Sequence, residues 1–389
     1  MDIQEKALKM HEQWKGKIEV ISRASITSKD DLAIAYSPGV AAPCLAIKDE
    51  PDKSFSLTRR SNLVAVITDG SAVLGLGNIG AKAAMPVMEG KCALFKTFAD
   101  VDAFPICINS QDTDTLVETI SLIADSFGGI NLEDIAAPRC FEVERKLKER
   151  LQIPVFHDDQ HGTAIVAGAA LINALKVVDK KLSEVKIVIN GAGAAGIAIA
   201  KHLLAMGAKN IILADRSGII YRGREGNNPA KEEIANVTNH DMQKGKLEEA
   251  MRAADVFMGV SSAETVNKDM VHSMNKGSIL FPMANPVPEI FPDEAFEAGA
   301  YIVGTGRSDF PNQINNVLAF PGIFRGALDV NATEINDEMC MAATYAIAST
   351  ITEDELNKDY VIPLPFNTRV ASSVAKAVAK AAIETKVTR

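Results

Sequence analysis

The chain has 389 residues, 47% hydrophobic and 23% charged, which is a globular composition with enough apolar side chain to bury a sizeable core. At about 150 residues per domain, the length suggests two or three domains rather than a small disulfide-stapled scaffold. Lys and Arg total 41 against 50 Asp and Glu, a net charge of −9; no basic patch offsets it, so nucleic acid is excluded as a partner.

In chain order, LVAVITDG at 63–70 and DAFPICIN at 102–109 read as strands, followed by a charged amphipathic helix near Glu142 to Arg150. IPVFHDDQHGT at 153–163 begins as a strand, turns, and leads into an apolar helix from Ala164 to Leu175. From about residue 185, short apolar runs alternate with helix-like stretches: VKIVIN at 185–190, NIILAD at 210–215, ADVFMGV at 254–260, GSILFPMAN at 277–285 and AYIVGTG at 300–306. Buried parallel strands read this way. Ile197 to Met206 supplies the helix of a strand–helix–strand unit. The expected fold is α/β: an N-terminal α/β domain over 1–160, a Rossmann-like doubly wound NAD(P)-binding domain over 161–345, and a C-terminal helical tail over 346–389 that packs on the core or on a partner subunit.

The five cysteines, Cys44, Cys92, Cys107, Cys140 and Cys340, form no Cys-x-x-Cys pair and read as free thiols of a reducing compartment. The N-terminus, Met1 to Lys6, is charged and has no apolar signal core. The longest strongly apolar run, Ala164 to Leu175, is interrupted by Asn173 and falls short of the ~20 residues that span a membrane. A cytoplasmic protein without membrane association is expected.

Gly-x-Gly-x-x-Gly occurs twice, at Gly75-Leu-Gly77-Asn-Ile-Gly80 and at Gly191-Ala192-Gly193-Ala194-Ala195-Gly196. In a dinucleotide fold the first glycine ends a strand, the second lets backbone approach the pyrophosphate, the third lets helix pack on strand, and an acid about 20 residues on takes the ribose hydroxyl. The second copy fits, with KIVIN running into Gly191 and Asp215 closing the next strand 24 residues later. The first copy has five residues between Asp69 and Gly75, too many for a strand that ends at the glycine, and reads as a turn-rich loop. Asp215 favours NAD over NADP, while Arg216 beside it could accept a 2′-phosphate.

Two acidic pairs remain, Glu133-Asp134 and Asp158-Asp159. The second lies between an apolar strand and an apolar helix, where adjacent carboxylates repel unless a cation neutralises them. Oxygen ligands indicate a hard ion, Mg²⁺ or Mn²⁺. His157 and His161 straddle a turn rather than share a helix face, so they read as hydrogen-bonding residues and not as zinc ligands.

With these features placed, the remaining motifs resemble the malic enzymes in their short prokaryotic, NAD(P)-dependent form. The segments are AYSPGVAAPC at 35–44, ITDGSAVLGLGNIG at 67–80, PVMEGKCALF at 86–95, NLEDIAAPRCFEVE at 131–144, PVFHDDQHGTA at 154–164, NGAGAAG at 190–196, ANPVPEI at 284–290 and NNVLAFPG at 315–322. They occur in the family's order along nearly the whole chain. The resemblance implies oxidative decarboxylation of L-malate to pyruvate and CO₂ with reduction of NAD or NADP, by a homodimer or larger oligomer. Tyr36 matches the family's general acid and Lys91 its general base, also a substrate contact. Glu133, Asp134 and Asp159 match the metal ligands and Asp158 a neighbouring acid. Asn285 and the pair Asn315-Asn316 match amides on the substrate and nicotinamide side. One motif departs: larger members carry an arginine for a malate carboxylate within Asp-Gly-Glu-Arg, where this chain reads Asp69-Gly70-Ser71-Ala72. Carboxylate recognition would then fall to Lys91, the asparagines or a group of another subunit.

The chemistry asks for these residue types. Hydride loss from C2 needs a base for the hydroxyl proton, and a lysine serves if burial and a nearby cation bring its pKa down. Loss of CO₂ needs an electron sink, which a chelated metal supplies as Lewis acid. The enolate then needs a proton at C3, which a tyrosine can donate. The competing readings are an NAD(P)-dependent dehydrogenase of another hydroxy or amino acid, which needs no metal, and an inactive nucleotide-sensing protein.

Overall fold

The run Leu63-Val-Ala-Val-Ile-Thr68 is apolar on both faces, and in the computed structural model, which describes residues 2–73 and 75–389, it forms the inner strand β1 of a four-stranded parallel sheet. Its partners are β2 (Asp102–Cys107), β3 (Gly129–Leu132) and β4 (Val155–His157), in the order β2-β1-β3-β4. β3 has only four residues and opens on glycine, too short and too weakly patterned to stand out in the sequence; pairing with β1 and β4 on either side defines it.

A second sheet follows, with β5 (Lys186–Asn190), β6 (Asn210–Asp215), β7 (Gly218–Ile219), β8 (Val256–Gly259), β9 (Ile279–Pro282) and β10 (Ile302–Val303) in the order β10-β9-β8-β5-β6-β7. All pairs are parallel except β6–β7. The order turns back at β5, with β6 on one side and β8 on the other, so a ligand crevice opens at the carboxyl ends of β5 and β8. The fold class expected from the sequence is the one observed.

One continuous apolar core ties the two sheets together. It includes Val64 and Val66 of β1, Ile187 and Ile189 of β5, and the helix Thr163–Val177 between them. That helix is apolar around nearly its whole circumference because both sheets bury it, which explains why the Ala164 to Leu175 run lacks a polar face. The opposite face of the first sheet, with Ala65, Ile67, Ile130 and Val155, packs under the helices Thr113–Ile123 and Arg139–Arg150.

The Ala-rich segment near the end forms a helix, Arg369–Glu384, laid along the helices Phe320–Asp329 and Asp337–Ala348. Gly322 makes that approach possible, since a Cβ there would stand 2.7 Å from the Val374 Cβ. Val374 and Val378 are fully buried at this contact, worth about 1.5–3 kcal/mol each. Among the described residues no helix is long and apolar enough to cross a membrane.

Candidate active site

Parallel strands of the first sheet end together, and their carboxyl ends carry the acids. Glu133 and Asp134 follow β3, and Asp158 and Asp159 follow β4. Carboxylate oxygens of Glu133, Asp134 and Asp159 lie within 4.8 Å of one another. Asp159 Oδ2 accepts the Asp134 backbone N–H at 2.8 Å, which locks the two loops together. Asn131 Nδ2 donates to Glu133 Oε2 at 2.9 Å and orients the other carboxylate.

Lys91 reaches this cluster from the helix Ala81–Ala99, which crosses over from β1 to β2. Its Nζ lies 2.6 Å from Asp158 Oδ2 and 3.0 Å from Glu133 Oε1, and 4.3 Å from the centre of the Phe320 ring. The cation–π contact adds a weak preference for the charged form. Burial lowers the Lys91 pKa, but the charges of Asp158 and Glu133 outweigh it and the net shift is upward. The sequence-based expectation of a lysine brought down towards neutrality is therefore corrected for this state: two carboxylates at hydrogen-bond distance hold the ammonium in its charged form. Burial and the neighbouring Glu133 push Asp158 up to about 7 despite Lys91, and burial also raises Glu133 and Asp159.

Lys91 pairs with Asp158 and Glu133, and burial disfavours the charged form of Glu133, Asp158 and Asp159 around it. Asp158 Oδ1 is buried without a hydrogen-bond partner as well. The all-oxygen donor set of Glu133, Asp134 and Asp159, closely spaced, fits a hard divalent cation.

Asp158 to Gly162 form a single π-helical turn. Asp158 faces Lys91 and also accepts a hydrogen bond from Asn316 Nδ2. His161 faces away, and its Nε2 contacts the Glu144 carboxylate at 2.8 and 3.0 Å. His157 is fully buried at the end of β4, with its pKa lowered to about 4 chiefly by that burial. Among the described residues, the carboxylate group of Glu133, Asp134 and Asp159 includes neither ring. Glu144, on the second turn of its helix, had no distinguishing signal in the sequence.

Of the asparagine pair, Asn316 turns to Asp158 while Asn315 accepts the Val317 N–H at 3.0 Å and caps a short 3₁₀ turn. Asn285 follows β9 and meets the first glycine loop: a Cβ on Gly75, whose φ is +75°, would collide with the Asn285 carbonyl oxygen. That loop therefore lines the junction between the two sheets. Where larger members of the resembling family carry an arginine, Ser71 Oγ and Asp69 Oδ2 instead receive Arg139 Nη2, at 2.8 and 2.6 Å, from the helix after β3.

Tyr36 stands apart. It is 70% exposed, no hydrogen bond joins it to the cluster among the described residues, and the flanking helices Lys29–Ala35 and Ala41–Asp49 bury no residue.

The second glycine loop has the expected build. Gly191 adopts φ +117° at the end of β5, and a Cβ on Gly196 would overlap the Gly191 carbonyl oxygen. Gly193 faces open space, and the helix Ala194–Ala205 starts at once, with Ala194 and Ala195 in its first turn and Ala192 buried beneath. Asp215 is placed at the end of β6, but its carboxylate is already engaged. Arg224 Nη1 and Nη2 donate to it at 2.9 and 2.6 Å, Lys231 Nζ at 2.7 Å and the Ser217 N–H at 2.9 Å. Those bonds hold Asp215 well below the usual carboxylate range against the effect of burial. The cations beside it are thus Arg224 and Lys231, which the sequence reading missed, while Arg216 is exposed.

The malic enzyme N-terminal domain profile matches residues 15–148, and the malic enzyme NAD-binding domain profile matches residues 160–383. The chain belongs to the malic enzyme family. Over 390 residues it is 59% identical to the bifunctional malic/malolactic enzyme of Bacillus subtilis (strain 168), covering 100% of this chain and 95% of that protein. It is 57% identical to the NAD-dependent malic enzyme of Geobacillus stearothermophilus, covering 96% of this chain and 78% of that one. The crystal structure of malic enzyme from Pyrococcus horikoshii superposes with a TM-score of 0.95 at 47% identity, covering 100% of this chain and 92% of that chain. This malic enzyme family member is an NAD(P)-dependent oxidoreductase with a Rossmann-like nucleotide domain.

Proposed function

We propose that the chain converts L-malate to pyruvate and CO₂ with reduction of NAD or NADP, in a reaction dependent on Mg²⁺ or Mn²⁺. One observation carries this reading: a buried lysine placed among four carboxylates at adjacent strand ends, beside the crevice of a dinucleotide fold. Glu133, Asp134 and Asp159 would hold the divalent ion. When bound, such an ion supplies Lewis acidity at the C2 oxygen and C1 carboxylate of the substrate.

The chain's own groups account for the proton movements. Lys91 Nζ and Asp158 Oδ2, 2.6 Å apart, share one proton: passed to Asp158, whose pKa is raised to about 7, it leaves Lys91 as the neutral amine that accepts the C2 hydroxyl proton. Asn316, hydrogen-bonded to Asp158, and Asn285, at the edge of the nucleotide crevice, present amides to the substrate and nicotinamide side. Tyr36 donates the proton at C3, which requires its exposed segment to move or to dock on a second copy.

A homodimer or larger assembly fits that requirement. Residues 2–54 bury no side chain yet carry Ile3, Val20, Ile21 and Ile34 at 74–84% exposure, an apolar surface that a second copy would cover. A monomeric mass by light scattering at micromolar concentration would count against it. For the nucleotide, Arg224 and Lys231 neutralise Asp215, so its expected repulsion of a 2′-phosphate is weakened and both NAD and NADP are accepted. The free thiols suit a reducing cytoplasm.

The test is initial-rate nucleotide reduction at 340 nm with L-malate, run with NAD and with NADP, each with Mn²⁺ and with EDTA, and with pyruvate assayed. Metal-dependent reduction yielding pyruvate is expected. Folded protein that reduces neither nucleotide would overturn the reading.

A further inference from the structure

Glu289 is fully buried, and among the described residues no lysine, arginine or histidine pairs with it. A lone carboxylate in such a place is costly unless backbone donors satisfy it. Here Oε1 accepts the Ser261 N–H at 2.9 Å and Oε2 the Ala284 N–H at 3.1 Å. Ser261 lies just beyond β8 and Ala284 just beyond β9, so one carboxylate bridges two strand-end loops. Backbone bonds reinforce the bridge, from Val266 N–H to the Glu289 carbonyl and from Glu264 N–H to the Pro288 carbonyl, each at 3.0 Å. Gly259 at the end of β8 has no side chain to spare, since a Cβ there would collide with the Glu289 carboxylate.

The network extends in both directions. Asn190 Nδ2 donates to Ser261 Oγ at 2.8 Å, and Asn190 immediately precedes Gly191 of the nucleotide loop. On the other side Ala284 precedes Asn285. We propose that Glu289 is a positioning residue that holds Asn285 in register with the nucleotide loop through the path Asn190–Ser261–Glu289–Ala284. The proposal rests on the reading of Asn285 as a substrate-side amide.

Glu289→Gln tests it, because the amide replaces one acceptor with a donor facing a backbone N–H. Glu289→Gln, Asn285→Ala and the double variant are compared for kcat, KM for malate and the dissociation constant for NAD without malate. The expected result is a tenfold or greater loss in kcat/KM for malate with Glu289→Gln. The NAD dissociation constant should stay within about threefold, since Asp215 and the glycine loop are intact, and the double variant should be no worse than Asn285→Ala alone. Should Glu289→Gln fail to fold, Ser261→Ala removes the hydroxyl that accepts from Asn190 Nδ2 and donates to Glu289 Oε1 at 3.5 Å, keeps the Ser261 N–H bond to the carboxylate, and should show the same malate-side loss. Unchanged kcat/KM in the folded variant, or effects of Glu289→Gln and Asn285→Ala that add in full, would overturn the positioning role. Unchanged kcat/KM in Asn285→Ala would instead remove the reading of Asn285, and the positioning role with it.

Discussion

Asp159→Asn should stabilise the metal-free protein while weakening its hold on metal, an opposition of signs that a purely structural carboxylate would not produce. Asp159 has carboxylate oxygens of both Glu133 and Asp134 within 4.8 Å. Two unit charges at that distance repel by about 3 kcal/mol at an effective dielectric constant of about 20. The substitution also removes attraction to Lys91, and the Asp159 side chain is 35% exposed, so solvent screens part of the effect. The net gain should be about 1–2 kcal/mol. The Asn carbonyl oxygen can still accept the Asp134 N–H, so the loops stay joined. At about 2.1 cal/mol/K of unfolding entropy per residue, the 389-residue chain converts that gain into a rise in Tm of about 1–3 °C. Thermal unfolding in EDTA at pH 8 measures it, and titration with Mn²⁺ should show at least a tenfold weaker affinity. A lower Tm in EDTA together with unchanged Mn²⁺ affinity would refute the assignment of Asp159 to the cluster.

The burial of Asp158 sets a pH dependence. Asp158 is raised to about 7, so the folded state keeps a proton that the unfolded chain has released, and stability is lost as pH rises from about 4 through 7. The rise in Tm produced by Mn²⁺ should accordingly be larger at pH 8 than at pH 5.5, and equal shifts would contradict this. Lys231→Gln should lower kcat/KM for NADP about tenfold more than for NAD, because it removes a charge-assisted donor near the 2′ position; a parallel fall for both nucleotides would place Lys231 in structure only. Gly196→Ala should abolish nucleotide binding, read as loss of NAD protection against thermal unfolding, because its Cβ would overlap the Gly191 carbonyl; retained protection would mean the loop can open without loss of the site.

Much of the site's chemistry was legible in the chain, and its arrangement was not. The glycine spacing after KIVIN announced a nucleotide loop because each glycine answers a local steric demand, met at Gly191 and Gly196. The apolar runs of the second half announced parallel strands because strands buried on both faces have no polar alternation to hide them. β3 escaped notice, since four residues carry little pattern, and yet it is β3 that brings Glu133 and Asp134 beside Asp159.

Local sequence determined the loops, the buried helix from Thr163 and the chemical types at each candidate position, because backbone conformation and burial pattern are short-range properties. Only the tertiary structure decided which charges share a site. Strand order put residues more than twenty positions apart at neighbouring strand ends, and a crossover helix delivered Lys91 between Asp158 and Glu133. Arg224 and Lys231, nine and sixteen residues on, closed on Asp215 and engaged its carboxylate. Electrostatic energy depends on distance through space, and distance through space follows from which strands pair, which no single segment of the chain contains.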